Sequence, residues 1–188
     1  MKKPVLVILP VIFLYACNHH PSNPEPGPAP APNTAAYKLD AVGALAASYG
    51  RGLQLMSVRS MNVDIDGTSE TWQYLYADTG MPPTCYWFHA TSAGVAFDSS
   101  MAMMVGSGFI RHRWCNSDSA LILAEQHGGT QFRSAHAACA ITASLGEPVV
   151  PNARTFWLVT YQSTGNQPQY LAFSIDADSA VVTMLLPR

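Results

Sequence analysis

The sequence predicts an α+β protein built as two tandem units, each a helix followed by an antiparallel sheet, behind a leader and a proline-rich linker. Three observations carry this reading. An internal repeat relates the two halves of the chain beyond residue 33. Apolar residues at helical spacing open each half, and period-two alternation fills the rest of it. The expected organisation is a leader over 1–16, a linker over 17–33, a first unit over 34–105 and a second over 106–188.

The leader comes first. Lys2 and Lys3 precede an apolar run from Val5 to Tyr15, interrupted by Pro10. A bilayer takes about 20 apolar residues to cross, so this shorter run has the form of a cleaved signal. Leu14-Tyr15-Ala16-Cys17 resembles the lipobox of bacterial lipoproteins, although Tyr15 stands where a small or β-branched residue is usual. The resemblance implies a mature chain that begins at Cys17 and enters the bilayer through acyl chains, palmitate among them, on that cysteine. Two or more chains make a lasting anchor where one is marginal. Asn18, in place of an aspartate, implies the outer membrane, with the protein facing the periplasm.

The linker has proline at 21, 24, 26, 28, 30 and 32. Such spacing favours polyproline II, and twelve residues of it span about 35–40 Å. His19 and His20 beside it read as solvated linker residues.

The remaining chain is 48% hydrophobic against 12% charged over the full sequence, ample for a core. Removing Lys2 and Lys3 leaves eight basic against twelve acidic residues, a net charge of −4. Lys38 is then the one lysine, so phosphate neutralisation and nucleic-acid binding are excluded as expectations. In an oxidising compartment Cys85, Cys115 and Cys139 are expected to form one disulfide and leave one thiol. Cys115–Cys139 is the favoured pair, since they bracket a predicted helix and its following strand; Cys85–Cys115 is the alternative.

Within the first unit, Leu39, Val42, Leu45 and Tyr49 recur at helical spacing and Gly50 supplies a stop. Strands follow at 53–65, 70–77, 84–91 and 93–98. In the second, Ser117 or Asp118 caps a helix carrying Leu121, Leu123 and Ala124, which ends at Gly128-Gly129. Its strands are expected at 131–144, 155–162, 169–175 and 179–186. At an offset of 85, Thr79-Gly80, Pro83 and Phe88 fall on Thr164-Gly165, Pro168 and Phe173. Seven extra residues in the second copy, Leu145 to Pro151, are expected to be an insertion. Each middle strand should pack its aromatics on its own helix, with Trp72 beside Leu45 or Tyr49.

The second copy, through Ala120–Glu125, Trp157-Leu-Val-Thr-Tyr161 and Ile175-Asp-Ala-Asp-Ser-Ala-Val-Val182, resembles the PepSY domain. Ser179 stands where that family usually has a turn glycine. The resemblance implies a binding or peptidase-modulating module without catalytic residues. A second resemblance, of architecture alone, is to the β-lactamase inhibitory proteins, which join two helix-plus-sheet units around an aromatic surface.

No G-x-S-x-G, S-x-x-K or H-x-x-x-H pattern occurs, so no catalytic or metal-ligating set is expected, and no cofactor. Asp64-Ile-Asp-Gly67 lacks the other oxygen ligands of a calcium loop and reads as a turn. Met101-Ala-Met-Met104 reads as packing. Because aromatics dominate interface energetics, the expected contact surface comprises Trp72, Tyr74, Tyr76, Tyr86, Trp87 and Trp114 with Arg111 and Arg113. The function expected first is binding of a protein or peptide partner, modulating a peptidase or envelope complex. The alternative is a structural or assembly role that recognises a cell-envelope polymer or a secretion component. The anchor has a direct test. Cys17→Ser should abolish fatty-acid labelling and either release the protein into the soluble periplasmic fraction or leave the precursor uncleaved. Labelling equal to wild type would exclude the lipobox.

Overall fold

Residue alternation decides the architecture, because the central strands of the sheet bury alternate side chains under a single helical layer. The computed structural model describes residues 29–102, 107–110, 113–136, 138–148, 153–164 and 167–185. Helix α1 spans Leu39–Tyr49 and is followed by β1 (Gln54–Ser60), β2 (Thr71–Ala77), β3 (Thr84–Thr91) and β4 (Gly94–Ala102). A two-residue strand β5 (Ser107–Gly108) precedes α2 (Ser117–Ala124) and α3 (Thr130–Ala135). Then come β6 (Cys139–Pro148), β7 (Phe156–Ser163), β8 (Tyr170–Asp176) and β9 (Val182–Leu185).

These strands make one antiparallel sheet in the order β4-β3-β2-β1-β6-β7-β8-β9, with β5 paired to the end of β6. That order overturns the expectation of two tandem helix-plus-sheet units. Strands β1 and β6 pair directly, with Ser57 opposite Gly146 and Ser60 opposite Ala143, so neither half has a sheet edge of its own there. The expected insertion is part of this seam: Leu145 lies opposite Val58 on one side and Trp157 on the other, and is fully buried. The cores merge as well. Trp72 and Trp157, aligned by the repeat, meet edge to face at 6.1 Å, and Trp114 adds a second edge contact with Trp157 at 6.2 Å. Trp72 therefore packs across the seam, while Tyr49 stacks on Phe97 at 4.3 Å.

A buried strap locks this centre. The Nε1 of Trp72 donates to the Asn33 carbonyl at 2.8 Å, and the Tyr74 hydroxyl donates to that of Ala35 at 2.8 Å. From the second half, the Ala36 amide donates to Asn116 Oδ1 at 2.9 Å and the Ala35 amide to Ser117 Oγ at 3.0 Å. Ser117 Oγ in turn donates to the Gly67 carbonyl at 2.6 Å. Gly67 has φ +81°, and a Cβ there would come within 2.4 Å of the Asp118 backbone. A residue with no side chain is required for the loop to approach α2 this closely.

The second helix departs from expectation at its end. Residues 131–135 belong to α3, and a kink at Gly128, with φ +134°, joins it to α2. Glu125 holds the kink. Its carboxylate accepts from Tyr161 Oη at 2.9 Å, Thr130 Oγ1 at 2.7 Å, and Arg133 Nε and Nη2 at 3.0 and 2.6 Å. Burial pushes this carboxyl up, but the bonds from Arg133, Thr130 and Tyr161 and the charge of Arg133 outweigh burial and hold it below the usual glutamate value. A depressed folded value gives stability that is present above the unfolded value and lost as pH falls through the folded one. The wild type should therefore lose more denaturant resistance than Glu125→Gln when pH is lowered from neutrality to below about 4. Equal losses in chemical-denaturation curves would show that Glu125 contributes none of the acid sensitivity.

Candidate functional site

Among the described residues, one face of the sheet is covered by α1, α2, α3 and the strap, and the other is open except where Phe109 lies on it. Alternation on β2 sends Trp72, Tyr74 and Tyr76 inward, where they are 2%, 0% and 7% exposed. Burial pushes the Tyr76 hydroxyl up to about 12, and the charge of Asp40 adds to the effect. Trp114 is also buried, and Tyr86 packs at the margin of the same core. Of the six aromatics expected at a contact surface, four are therefore core residues. They are removed because the face carrying most aromatics is the face the helices cover. Arg113 is exposed, and Arg111 lies outside the described residues.

Trp87 is different. On β3 it alternates with inward-facing Phe88, and its indole reaches the open face. A small apolar cluster underlies it there: Met56, Ala77 and Cys85 are buried, with Leu75, Trp87 and Phe109 packed against them. The chain beyond β5 brings Phe109 onto this face, and the Ile110 amide donates to the Leu55 carbonyl at 2.8 Å.

Beside Trp87 the open face has a shallow groove of ≈ 670 Å³, lined by Thr71, Gln73, Trp87, His89, Thr91, Asp98, Ser99, Ser100 and Met101. A β-bulge shapes it. Trp87 pairs with Ser99 but Phe88 pairs with Phe97, so Asp98 is an extra residue on β4. Bulges re-aim side chains, often next to functional sites, and here Asp98 meets His89 Nδ1 in a short side-chain contact. On the far wall Arg59 Nε donates to Gln73 Oε1 at 3.0 Å, which fixes the amide plane. Neither Ser99 nor Ser100 hydrogen-bonds His89 among the described residues, so the pair orients an imidazole without an aligned nucleophile. Among the described residues no group of three His, Cys, Asp or Glu side chains is placed to hold a metal ion. Sequence patterns pick out Trp87 but miss His89, Asp98 and Gln73, because a bulge that joins two strands leaves no motif in either.

The expected disulfide is absent. Cys85, Cys115 and Cys139 are all thiols, and the described residues contain no disulfide. The reason is sheet geometry. Cys115 donates its amide to the Ala177 carbonyl, at the end of the sheet where Thr155 precedes β7, whereas Cys139 lies opposite Ser163 at the other end of β7. Eight residues of strand separate those ends by roughly 25 Å, against a Cα separation of about 7 Å at most for a disulfide. Cys85 faces the opposite side of the sheet, where burial and the charge of Asp78 push its thiol up; burial does the same at Cys139. Raised thiols are poor nucleophiles and resist oxidation.

Among the described residues no helix is long and apolar enough to cross a membrane. Comparison of the chain with family models, with curated proteins and with solved structures returns no match.

Unfolding the protein without reductant should therefore expose Cys85, Cys115 and Cys139 all as reactive thiols, counted by a chromogenic disulfide reagent. Finding one would restore the disulfide and require a large rearrangement of β6 or α2.

Proposed function

We propose that this is a non-catalytic binding protein, anchored to the outer membrane through acylated Cys17 and facing the periplasm, that recognises a cell-envelope polymer with the open face of its sheet. One observation supports the reading above others: the two faces differ in what occupies them. The strap that receives the linker is packed on the helical side, at Trp72, Tyr74 and Asn116. The open face is thus turned away from the point of attachment and carries the groove with Trp87. A linker of about 35–40 Å would let that face reach material beyond the bilayer surface.

The reading expected first, a protein or peptide partner, drew on an aromatic surface. With Trp72, Tyr74, Tyr76 and Trp114 in the core, the cluster of anchors that marks a protein hot spot is reduced on the open face to Trp87. A single aromatic ring among polar side chains suits a polymer met at repeated, individually weak contacts, whose strengths multiply along the chain. The alternative therefore becomes the leading reading.

Co-sedimentation with purified peptidoglycan sacculi tests it. The detergent-solubilised full-length protein should pellet with sacculi, and the pelleted fraction should rise with sacculus concentration. Protein that stays in the supernatant while crosslinking to one envelope protein in stoichiometric yield would return the function to a protein partner.

A further inference from the structure

The groove on the open face has a lining that specifies a ligand class. We propose that it seats a neutral saccharide ring, with Trp87 as the stacking platform and Gln73, His89 and Asp98 as the hydrogen-bonding groups around it. This rests on the polymer-binding reading above and names the part of the polymer that is recognised.

Trp87 supplies the first part of the argument. The sequence has four tryptophans, and Trp72, Trp114 and Trp157 are buried at 2%, 6% and 0% exposure, leaving Trp87 as the one that lines the groove on the open face. Its side chain packs against the cluster of Met56, Ala77 and Cys85. A ring held in this way presents a flat apolar surface with little further ordering to undergo on binding. The C–H face of a pyranose is a flat apolar partner of matching size.

The polar groups supply the second. A sugar hydroxyl donates and accepts at once, so its site needs both functions side by side. Gln73 has its carbonyl oxygen engaged by Arg59, which leaves its NH₂ as donor. Asp98 accepts, and His89 is set by its contact with Asp98 through Nδ1, leaving Nε2 as the ring's second polar atom. No lysine or arginine is among the lining residues themselves, and Arg59 beside Gln73 is engaged there by the amide oxygen. The volume of ≈ 670 Å³ is of the order found for small-molecule sites.

The third part separates a saccharide from a peptide. The groove lies on the face of β2, β3 and β4, where β2 and β3 are paired on both sides and β4 on its β3 side. An extended peptide is recognised largely through main-chain hydrogen bonds at a sheet edge; the edge on this side is the outer side of β4, whereas the groove is lined by side chains on the face of the sheet. A saccharide is recognised by side chains and an aromatic face, which are what this surface presents.

The experiment uses the full-length protein in detergent, with N,N′-diacetylchitobiose as the saccharide probe and the free stem tetrapeptide of peptidoglycan as the peptide probe. The saccharide should change tryptophan fluorescence saturably, and the peptide should leave it unchanged. Calorimetric titration should find binding lost in Trp87→Ala and about tenfold weaker in Gln73→Ala and His89→Ala, as expected when a ligand loses one well-made hydrogen bond. The last two side chains are only half-buried, so their melting temperatures should stay close to wild type and keep the test valid if Trp87→Ala fails to fold. Sacculi that bind while the disaccharide does not and the stem peptide does would overturn this proposal and leave the polymer reading intact. Failure of sacculi and disaccharide together would overturn both. Saccharide binding undiminished in Gln73→Ala and His89→Ala would place the sugar elsewhere and also overturn the proposal.

Discussion

The antiparallel pairing of β1 with β6 is the constraint from which the rest of the molecule follows. Counted outward from that pair, both directions meet the strands in chain order, β2-β3-β4 on one side and β7-β8-β9 on the other. Joining the halves at their first strands removes two edges that would otherwise present unpaired backbone groups. It also brings Trp72 and Trp157 together, so the largest buried side chains of each half close the core of the other. Truncating such a side chain typically costs about 3–5 kcal/mol, a large part of the total for a domain of this size.

Once the seam is formed, the helical layer has one face to cover and the strap one place to lie. Thr34 and Ala35 are almost wholly buried between β2 and the start of α2. Polar groups that this burial would strand are instead paired across the seam: Asn116 Nδ2 donates to Thr34 Oγ1 at 2.8 Å while its Oδ1 accepts from the Ala36 amide. The same accounting holds at the kink, where Glu125 satisfies three side chains from α3 and β7. Such networks stabilise only when complete, and among the described residues no buried side-chain N or O atom is left without a partner.

How far the sequence foretold this depends on the range of the interaction involved. Helix α1 begins at Leu39 and ends before Gly50 as its apolar spacing and stop signal imply, and β2 and β3 lie where alternation puts them. These are local properties of the chain. The partner of a strand is not: period two says which side chains share a face, but nothing in Leu145 to Pro148 distinguishes an insertion from a strand paired with β1. Nor does alternation say which face the helices will cover, so Trp72 and Trp87 read alike as surface aromatics although one is core and the other lines the groove. The disulfide expectation failed for a related reason. Closeness in sequence between Cys115 and Cys139 takes no account of α3, which carries the chain to the far end of β7 before β6 begins. His89 and Asp98 were invisible because their encounter depends on a one-residue slip between two strands.

The position of the strap has a mechanical side. Many tethered domains hang from a terminal strand or a frayed helix, where a pull peels hydrogen bonds away singly. Here the residues next to the linker enter the protein at its centre. Tension transmitted through residues 31–33 falls together on the bonds to Trp72, Ser69 and Tyr74 and, through Asn116 and Ser117, on the second half. Load is thus shared by both sides of the sheet at once. A pull on the chain ahead of residue 31 would be taken at the point where the two halves are sewn together.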